Sequence, residues 1–312
     1  MMKSEFYFPS ADGKTNIHAV EWLPEGKPAA VLQIAHGMTE HILRYEEFAE
    51  YLTGKRIAVV GNDHIGHGTS IAEGAQPMYF GTSGSWGRVV RDLHTCHTMT
   101  EEKFPDIPHV MLGFSLGSFL VRTYLIEYPG EADAAILMGT GQISQIGIFM
   151  AKMVANREAE KVGEEYPSPV VTEMTFGTYN KKFWPNRTEC DWLCASNESL
   201  DDYISDPLRG EALSVGLFRE LLDGMAFTGK MKNIRKMRKN LPVLFVSGDK
   251  DPVGDFGKGV RKAYRRFKEA GMGDVSLKLY PELRHMVLSE DCREEVYRYL
   301  YRWIKKKVII RA

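Results

Sequence analysis

The hydrophobic residues of this chain follow two periods, one typical of strands and one typical of helices. Two early segments, 5–8 and 16–23, alternate apolar and polar residues on either side of a turn at 10–13, which predicts an antiparallel hairpin. From residue 29 onward, short apolar runs alternate with amphipathic stretches. The runs predict strands at 29–36, 56–63, 109–112, 132–140, 241–248 and 275–281, and the stretches predict helices at 41–52, 85–104, 116–128, 253–270 and 290–307. Repeated strand–helix units predict an α/β fold, in which a mostly parallel sheet of eight strands carries helices on both faces.

This rhythm stops for about a hundred residues in the second half of the chain. Residues 142–239 combine Met-rich and aromatic helical patterns with short loops, and they contain no convincing core strand. A length of 312 residues also exceeds the usual size of one compact domain. We therefore predict a core formed by 1–141 and 240–312, into which a helical cap, 142–239, is inserted.

Composition and charge limit the possible partners and compartment. Apolar residues make up 44% of the chain and charged residues 26%, as in ordinary globular proteins, and a net charge of −1 gives no global attraction to nucleic acid or anionic membrane. The basic stretches 230–240 and 302–312 could rest on anionic lipid, although solvated helix faces are the commoner explanation. The first residues lack an apolar signal-peptide core, and no apolar run approaches a membrane span. With only four cysteines and no third ligand beside Cys190 and Cys194, we expect reduced thiols in the cytoplasm.

The stretch between the predicted strand at 109–112 and the following helix carries a candidate nucleophile. It reads G-x-S-x-G, with Ser115 between Gly113 and Gly117. A serine at the apex of such a turn needs a strained backbone to lift its hydroxyl clear of the sheet, and side chains at the two glycine positions would collide. The N–H of Leu116 would then point toward an anion forming above the serine. The alternative is an ordinary turn of small residues.

A serine hydroxyl becomes a good nucleophile only when an imidazole accepts its proton and an acid orients that imidazole. In an open parallel sheet these groups should lie in loops beyond the carboxyl ends of strands. The loop after the strand at 241–248 supplies Asp249 and Asp251, and the loop after the last strand supplies His285. We predict Asp251 as the acid, with Asp249 and Asp255 as substitutes, and His285 as the base.

The other histidines are predicted to be structural. His94 and His97 lie one turn apart on a helix, and we interpret them as a packed or solvated pair rather than a metal site. His109 begins the strand that leads to Ser115, at the far end from the serine. Two more in a glycine-rich loop, His64 and His67, are interpreted as bracing that loop.

A second donor for the oxyanion is expected from the loop after an early strand. In the stretch 36–41, Gly37 lets the backbone approach closely and the N–H of Met38 is the candidate. A simple turn at the start of a helix, capped by Thr39, would also explain these residues.

Together these motifs resemble the monoacylglycerol lipase and lysophospholipase branch of the α/β-hydrolase superfamily. The resemblance spans about 29 to 305 and includes H-G-x-x-E-H at 36–41, D-x-x-G-H-G at 63–68, the serine pentapeptide and the two loops of the acid and the base. It implies an α/β-hydrolase fold with a helical cap. It also implies roles for five residues: nucleophile, acid and base for Ser115, Asp251 and His285, and oxyanion N–H donors for Met38 and Leu116.

One departure concerns the residues around the nucleophile. Members of this branch often carry histidine before the serine and Met-Gly-Gly after it, whereas this chain has Phe114 before Ser115 and Leu-Gly-Ser after it. The chemistry is unaffected, but the assignment to monoacylglycerols is weakened.

The expected chemistry is two-step acyl transfer, which needs neither a metal nor an organic cofactor. Monoacylglycerols, lysophospholipids or similar small acyl esters are the expected substrates. The first predicted cap helix offers adaptable apolar side chains for an acyl pocket, although they could equally pack the cap onto the core. The residues predicted to contact substrate are Phe114, Ile146, Phe149 and Met150, and Ile143, Ile148 and Met153 belong to the same apolar segment.

Two other functions are compatible with these motifs. A serine aminopeptidase of the proline-iminopeptidase type would share the fold, cap and triad, but it needs acidic cap residues to hold a substrate amine. The candidates for that role are Glu158, Glu160, Glu164 and Glu165. A binding protein without catalysis on a hydrolase scaffold is the other possibility, and the intact serine, aspartate and histidine set argues against it.

Overall fold

A single eight-stranded sheet runs through the molecule, of which the computed structural model describes residues 1–310. Its spatial order is β1-β2-β4-β3-β5-β6-β7-β8, and only β1 and β2 run antiparallel to their neighbours. The mostly parallel α/β sheet predicted from the sequence is therefore confirmed. The strands are β1 (Met2–Pro9), β2 (Asn16–Leu23), β3 (Ala30–Ala35), β4 (Ile57–Asn62), β5 (His109–Phe114), β6 (Ala134–Met138), β7 (Val243–Gly248) and β8 (Val275–Tyr280).

The five central strands have apolar sequences because both of their faces are covered. Every residue of β3, β4, β5, β6 and β7 is buried, as expected for parallel strands between two helical layers. The strand β5 lies at the centre, where Leu112 is in register with Ile34 of β3 and Ile136 of β6. The strand that leads to Ser115 is thus held on both sides.

Helices cover both faces of the sheet. Residues of α2, α3 and α9 belong to one buried apolar cluster, and residues of α1 and α10 belong to the other. The helices are α1 (Glu46–Thr53), α2 (Ser85–Lys103), α3 (Leu116–Glu127), α4 (Gln145–Val162), α5 (Pro169–Phe176), α6 (Asn197–Ser205), α7 (Val215–Gly229), α8 (Met231–Ile234), α9 (Lys258–Glu269) and α10 (Arg293–Ile304). Short 3-10 helices span Ile42–Tyr45 and Tyr179–Phe183, and a π-helical turn spans Lys305–Ile309. None of the helices in the described part of the chain is long and apolar enough to cross a membrane.

The prediction for the helix at 253–270 was wrong at its start. The helix α9 begins only at Lys258 because the three residues before it have left-handed φ angles. The φ angles are +49° at Asp255, +52° at Phe256 and +84° at Gly257. With these angles the three residues cannot form the first turn of an α-helix.

The helices α4 to α8 lie between β6 and β7 in the chain, and a buried arginine joins the two ends of this segment. The guanidinium of Arg122, on α3, donates hydrogen bonds to Gly141 O (3.0 Å) and Gln142 Oε1 (2.8 Å), where the chain leaves the sheet. It also donates to Thr228 O (3.3 Å), near the end of α7. Arg122 itself is fully buried. The cap boundaries predicted from the sequence stay a prediction, but Arg122 joins the start of that segment and the end of α7 to α3.

Candidate active site

Ser115 occupies the sharp turn between β5 and α3. Its backbone has φ +52° and ψ −117°, a strained conformation for a residue with a side chain. The turn is held because Ser115 N donates to Met138 O on β6 (2.9 Å), while Ser118 N and Oγ both donate to Ser115 O. A Cβ added to Gly113 would lie 2.3 Å from Gly117 O, and one added to Gly117 would lie 2.0 Å from Ala35 O. The close approach of β3, β5 and α3 therefore requires both glycines.

Asp251 and His285 lie next to each other at the carboxyl ends of β7 and β8. The distance from His285 Nδ1 to Asp251 Oδ2 is 3.0 Å, although the ring nitrogen is not aligned for a regular hydrogen bond. Such imperfect alignment is common in active sites without substrate. The carboxylate is fixed by Ser247 Oγ, which donates to Oδ2 (3.0 Å), and by Val253 N, which donates to Oδ1 (2.9 Å).

The two substitute acids lie elsewhere. Asp249 Oδ1 accepts a hydrogen bond from Glu282 N (2.8 Å), and the Asp249 side chain is partly exposed. The left-handed turn before α9 leaves Asp255 exposed. Of the three aspartates considered, only Asp251 has a recorded contact with His285.

Aromatic side chains hold the imidazole of His285 from two sides. The ring of Phe114 lies 4.7 Å from it, between centroids, and the ring of Trp192 lies 5.4 Å away. The backbone of Gly139 also contacts the imidazole closely, since a Cβ added to Gly139 would lie 2.8 Å from His285 Cε1. Neither Trp192 nor Gly139 was singled out from the sequence, because both reach the histidine only through the fold.

The loop at 36–41 passes beside Ser115 and is braced by its own side chains. Glu40 Oε1 accepts hydrogen bonds from Gly37 N (2.6 Å) and Tyr45 Oη (2.7 Å). The Thr39 hydroxyl shares a 2.6 Å hydrogen bond with the hydroxyl of Tyr203 on α6. A helix from the segment between β6 and β7 therefore supports the loop that carries Met38.

The backbone N–H groups of Met38 and Leu116 remain available. Both residues line the cavity beside Ser115, and neither N–H donates to a protein acceptor within residues 1–310. Leu116 is the first residue of α3, where N–H groups have no acceptor inside the helix. These two groups can therefore donate to an oxyanion.

Three buried histidines brace the same loop from behind. His36 Nδ1 donates to Gly37 O (2.7 Å), and His36 Nε2 accepts from His64 N (3.0 Å). Burial, assisted by neighbouring imidazoles, holds the pKa of His36 well below its ordinary value. Burial likewise lowers the pKa of His64 to about 3 and lowers the pKa of His67. These rings are neutral at pH 7, and their contacts are with the backbone of the loops.

Asp63 fastens this region to the hairpin and to the start of α1. Its carboxylate accepts hydrogen bonds from Ile42 N (2.8 Å) and Thr69 N (3.0 Å), and it contacts His18 Nδ1 (2.9 Å). Burial alone would raise the pKa of Asp63, but the hydrogen bonds from His18 and the two backbone N–H groups lower it. The ionised carboxylate of Asp63 therefore holds three segments together.

Two cavities meet at Ser115. The larger, about 160 Å³, is apolar, and no charged side chain is among the described residues that line it. The smaller, about 30 Å³, is lined by His285 together with the polar residues Thr39, Glu40 and Tyr203. His285 does not line the larger cavity. The serine thus lies between an uncharged apolar space and a smaller space that also contains polar side chains. The apolar walls of the larger cavity include Ile143, Ile148, Phe176, Tyr179, Phe218 and Leu221.

The structure corrects most of the residues predicted to contact substrate. The side chains of Ile146, Phe149 and Met150 are 78%, 63% and 56% exposed, and they do not line the cavity. They share the outer side of α4, because residues three or four apart lie on one helix face. Ile148, on the opposite side of α4, is buried and lines the cavity together with Ile143, which precedes the helix. The prediction for these three residues was wrong.

The predicted contact of Phe114 with substrate stays a prediction. Phe114 lines the smaller cavity and packs against His285, and it does not line the larger cavity. Its position is beside the imidazole, not along an acyl chain.

The glutamates considered for binding an amine have other positions. Glu158 accepts from Ser168 Oγ (2.8 Å) and pairs with Lys161, and Glu164 pairs with Arg219. Glu160 and Glu165 are exposed. None of the four lines either cavity, so the structure does not bring them to the serine.

Comparisons with known proteins give one family and a consistent set of relatives. The sequence profile of the family described as "Serine aminopeptidase, S33" matches residues 26–292. A monoacylglycerol lipase of Mycolicibacterium smegmatis is 28% identical over 97% of each chain, and a monoglyceride lipase of Mus musculus is 26% identical over 92% of this chain and 86% of its own. The crystal structure of a highly thermostable carboxyl esterase from Bacillus coagulans, in complex with glycerol, superimposes with a TM-score of 0.91, at 25% identity and with 99% of each chain covered.

Proposed function

Because the chain belongs to the serine aminopeptidase S33 family of hydrolases, we propose that it cleaves carboxylic esters through an acyl-enzyme on Ser115. The observation that carries the proposal is the pair of cavities at the serine, one apolar and uncharged and one lined by His285 and by polar as well as apolar side chains. Relatives along nearly the whole chain are named monoacylglycerol and monoglyceride lipases, which supports ester hydrolysis.

Each step of the proposed reaction uses a group of this chain. Ser115 Oγ attacks the ester carbonyl and His285 accepts its proton, while Asp251 stabilises the imidazolium that forms. The N–H groups of Met38 and Leu116 donate to the oxyanion. His285 then protonates the departing alcohol, and a water molecule activated by His285 releases the acid from the serine. No cofactor takes part in these steps.

The two cavities support a placement of the two halves of the ester. Because His285 must protonate the alcohol, the alcohol belongs in the small cavity that His285 lines, and the acyl chain belongs in the larger apolar one. The hydroxyls of Thr39 and Tyr203 can bond to hydroxyls of the alcohol. The carboxylate of Glu40 disfavours an anionic head group there, so monoacylglycerols fit this site better than lysophospholipids.

Aminopeptidase activity is the second candidate because of the family's name. It would need a free carboxylate near Ser115 to hold the substrate amine. The carboxylate in the small cavity, Glu40, is already bonded to Gly37 N and Tyr45 Oη. The engagement of Glu40 therefore favours ester hydrolysis over aminopeptidase activity.

Two further proposals concern the rest of the molecule. We propose that 142–239 acts as the cap that supplies the acyl cavity, since α4, α5 and α7 contribute its walls. We also propose a cytoplasmic location, supported by the four cysteines, which are free thiols.

The first experiment is labelling with a fluorophosphonate probe, followed by hydrolysis of p-nitrophenyl esters of increasing acyl length and of a proline anilide. We expect labelling of the wild type, no labelling of Ser115→Ala, and turnover of the esters only. Asp251→Asn should lower kcat by about 10⁴, as loss of an orienting acid does in other triads. The matched control Asp249→Asn should keep full activity.

Each outcome separates the alternatives. Turnover of the anilide without the esters would establish the aminopeptidase, and a folded wild type that neither reacts with the probe nor hydrolyses either substrate would be a binding protein. Equal losses in Asp249→Asn and Asp251→Asn would contradict the assignment of the acid.

A further inference from the structure

We propose that this protein binds Zn²⁺ at the end of the sheet opposite Ser115, through His97 and Glu101 of α2 and Glu131 of the turn after α3. The ring of His97 lies 4.7 Å from the ring of His109, between centroids. His109 begins β5, whereas Ser115 follows its last residue. The proposed site is therefore separate from the catalytic groups.

The three residues place one ligand atom each in a small volume. An imidazole nitrogen and two carboxylate oxygens all lie within 4.8 Å of one another. His97 and Glu101 are four residues apart on α2, so their side chains share one face. The distance from His97 Nε2 to Glu131 Oε2 is 3.7 Å, too long for a hydrogen bond. It is close to the roughly 3.4 Å that separates two ligands of a tetrahedral ion with bonds of about 2.1 Å.

The state of His97 is an independent indication of a ligand. Its side chain is 1% exposed, and neither ring nitrogen has a hydrogen-bond partner within residues 1–310. A buried polar group without a partner is unfavourable and therefore rare. An ion between Nε2 and the two carboxylates would provide the missing interaction.

The donor set selects the kind of ion. Imidazole nitrogen combined with carboxylate oxygens suits Zn²⁺, whereas Mg²⁺ and Ca²⁺ prefer oxygen alone. Glu101 and Glu131 are exposed, which gives the ion access and leaves a fourth position for water. Nδ1 of His97 lacks the hydrogen-bond acceptor that usually supports a metal-bound imidazole, and the affinity should be about 10- to 100-fold lower than in sites that have one. An ion here would join α2 to the turn after α3 and stabilise the fold.

The test is titration of metal-stripped protein with ZnCl₂, followed by calorimetry and by the thermal midpoint. We expect one ion per chain and a higher Tm. Glu101→Gln and Glu131→Gln should each weaken binding at least about tenfold. The neighbouring Glu102→Gln, also exposed on α2, is the control and should bind as the wild type does.

The carboxylate variants are at exposed positions and should fold normally, which circular dichroism checks. Co²⁺ in place of Zn²⁺ should give the visible bands of a tetrahedral site in the wild type and in Glu102→Gln only. The proposal is wrong if the wild type shows no stoichiometric binding, or if all three variants bind Zn²⁺ equally well or equally poorly. Ester hydrolysis is not expected to change with Zn²⁺ at this site, so this test does not depend on the proposed function.

Discussion

At the scale of single residues, the geometry of Ser115, the proposed nucleophile, depends on the absence of side chains at its two neighbouring glycines. The backbone of Ser115 stays in a strained conformation because β3, β5 and α3 approach one another more closely than any Cβ would allow. The strain is thus maintained by the packing of whole elements. A small change at Gly117 should accordingly affect the fold and not only catalysis.

Gly117→Ala should lower the free energy of unfolding by at least about 3 kcal/mol, because the added Cβ would fall 2.0 Å from Ala35 O and 2.6 Å from His36 O. The control is Gly130→Ala, where an added Cβ meets nothing within 4 Å and the change should stay within about 0.5 kcal/mol. Urea denaturation measures both. Equal stability of the two variants would show that the turn between β5 and α3 adapts to a side chain at Gly117.

Single residues also show what the sequence could and could not predict. The nucleophile and the two loops were recognisable because the pattern of strands and helices placed each candidate at the carboxyl end of a strand. The choice between Asp249 and Asp251 was less certain, because two residues in one loop differ only in where the turn directs them. Trp192 reaches His285 from 93 positions away in the chain, and no local pattern indicates such a contact.

At the scale of elements, the segment between β6 and β7 depends on one buried guanidinium. Arg122 donates hydrogen bonds to the residues where the chain leaves the sheet and to Thr228 O, near the end of α7. Hydrogen bonds from a charged donor are stronger than neutral ones, and the carbonyls they satisfy would otherwise be buried without partners. Arg122 should therefore set the position of the cavity walls relative to Ser115.

Arg122→Met should lower the free energy of unfolding by about 3–5 kcal/mol, since it leaves Gly141 O and Thr228 O without this donor. The free energy of unfolding of Arg122→Lys should lie between those of the wild type and Arg122→Met, because one ammonium cannot bond to both segments as the planar guanidinium does. Thermal denaturation and kcat/KM for a p-nitrophenyl ester measure the two effects. Arg157→Met, at an exposed position on α4, is the control, and a loss as large as that of Arg122→Met would contradict the argument.

The strands and helices also differed in how closely their sequences predicted them. The central strands were predicted closely because burial on both faces makes every residue apolar. In contrast, α4 has apolar side chains on both sides, with Ile148 inside and Phe149 outside. Helical periodicity identified this helix, but it could not tell which side faces the cavity.

At the scale of the whole molecule, buried neutral histidines should make the fold sensitive to acid. Burial lowers the pKa of each of five histidines, to about 3 for His64 and about 4 for His109. An unfolded histidine has a pKa near 6.5, so between these values the unfolded chain binds more protons and stability falls as the pH falls. The five are His36, His64, His67, His97 and His109.

The free energy of unfolding should therefore decrease by about 2–3 kcal/mol from pH 7 to pH 5.5. Each strongly shifted histidine contributes about 1 kcal/mol to the loss. His18, whose pKa is raised, and Asp92, whose pKa is raised to about 6, act in the opposite direction. Urea denaturation at several pH values measures the change. From pH 7.5 to 8.5 the five histidines with lowered pKa values should contribute nothing. A stability that stays constant between pH 7 and pH 5.5 would contradict the assignment.

The position of the Trp192 ring beside His285 has a consequence for observing the enzyme. Indole emission depends on the water and charge around the ring, and this ring forms part of both cavities. Filling of the apolar cavity by an acyl chain would shift the emission to shorter wavelength, and protonation of the imidazole 5.4 Å away would quench it. The protein therefore contains an intrinsic fluorophore at the point where both halves of the ester meet the base.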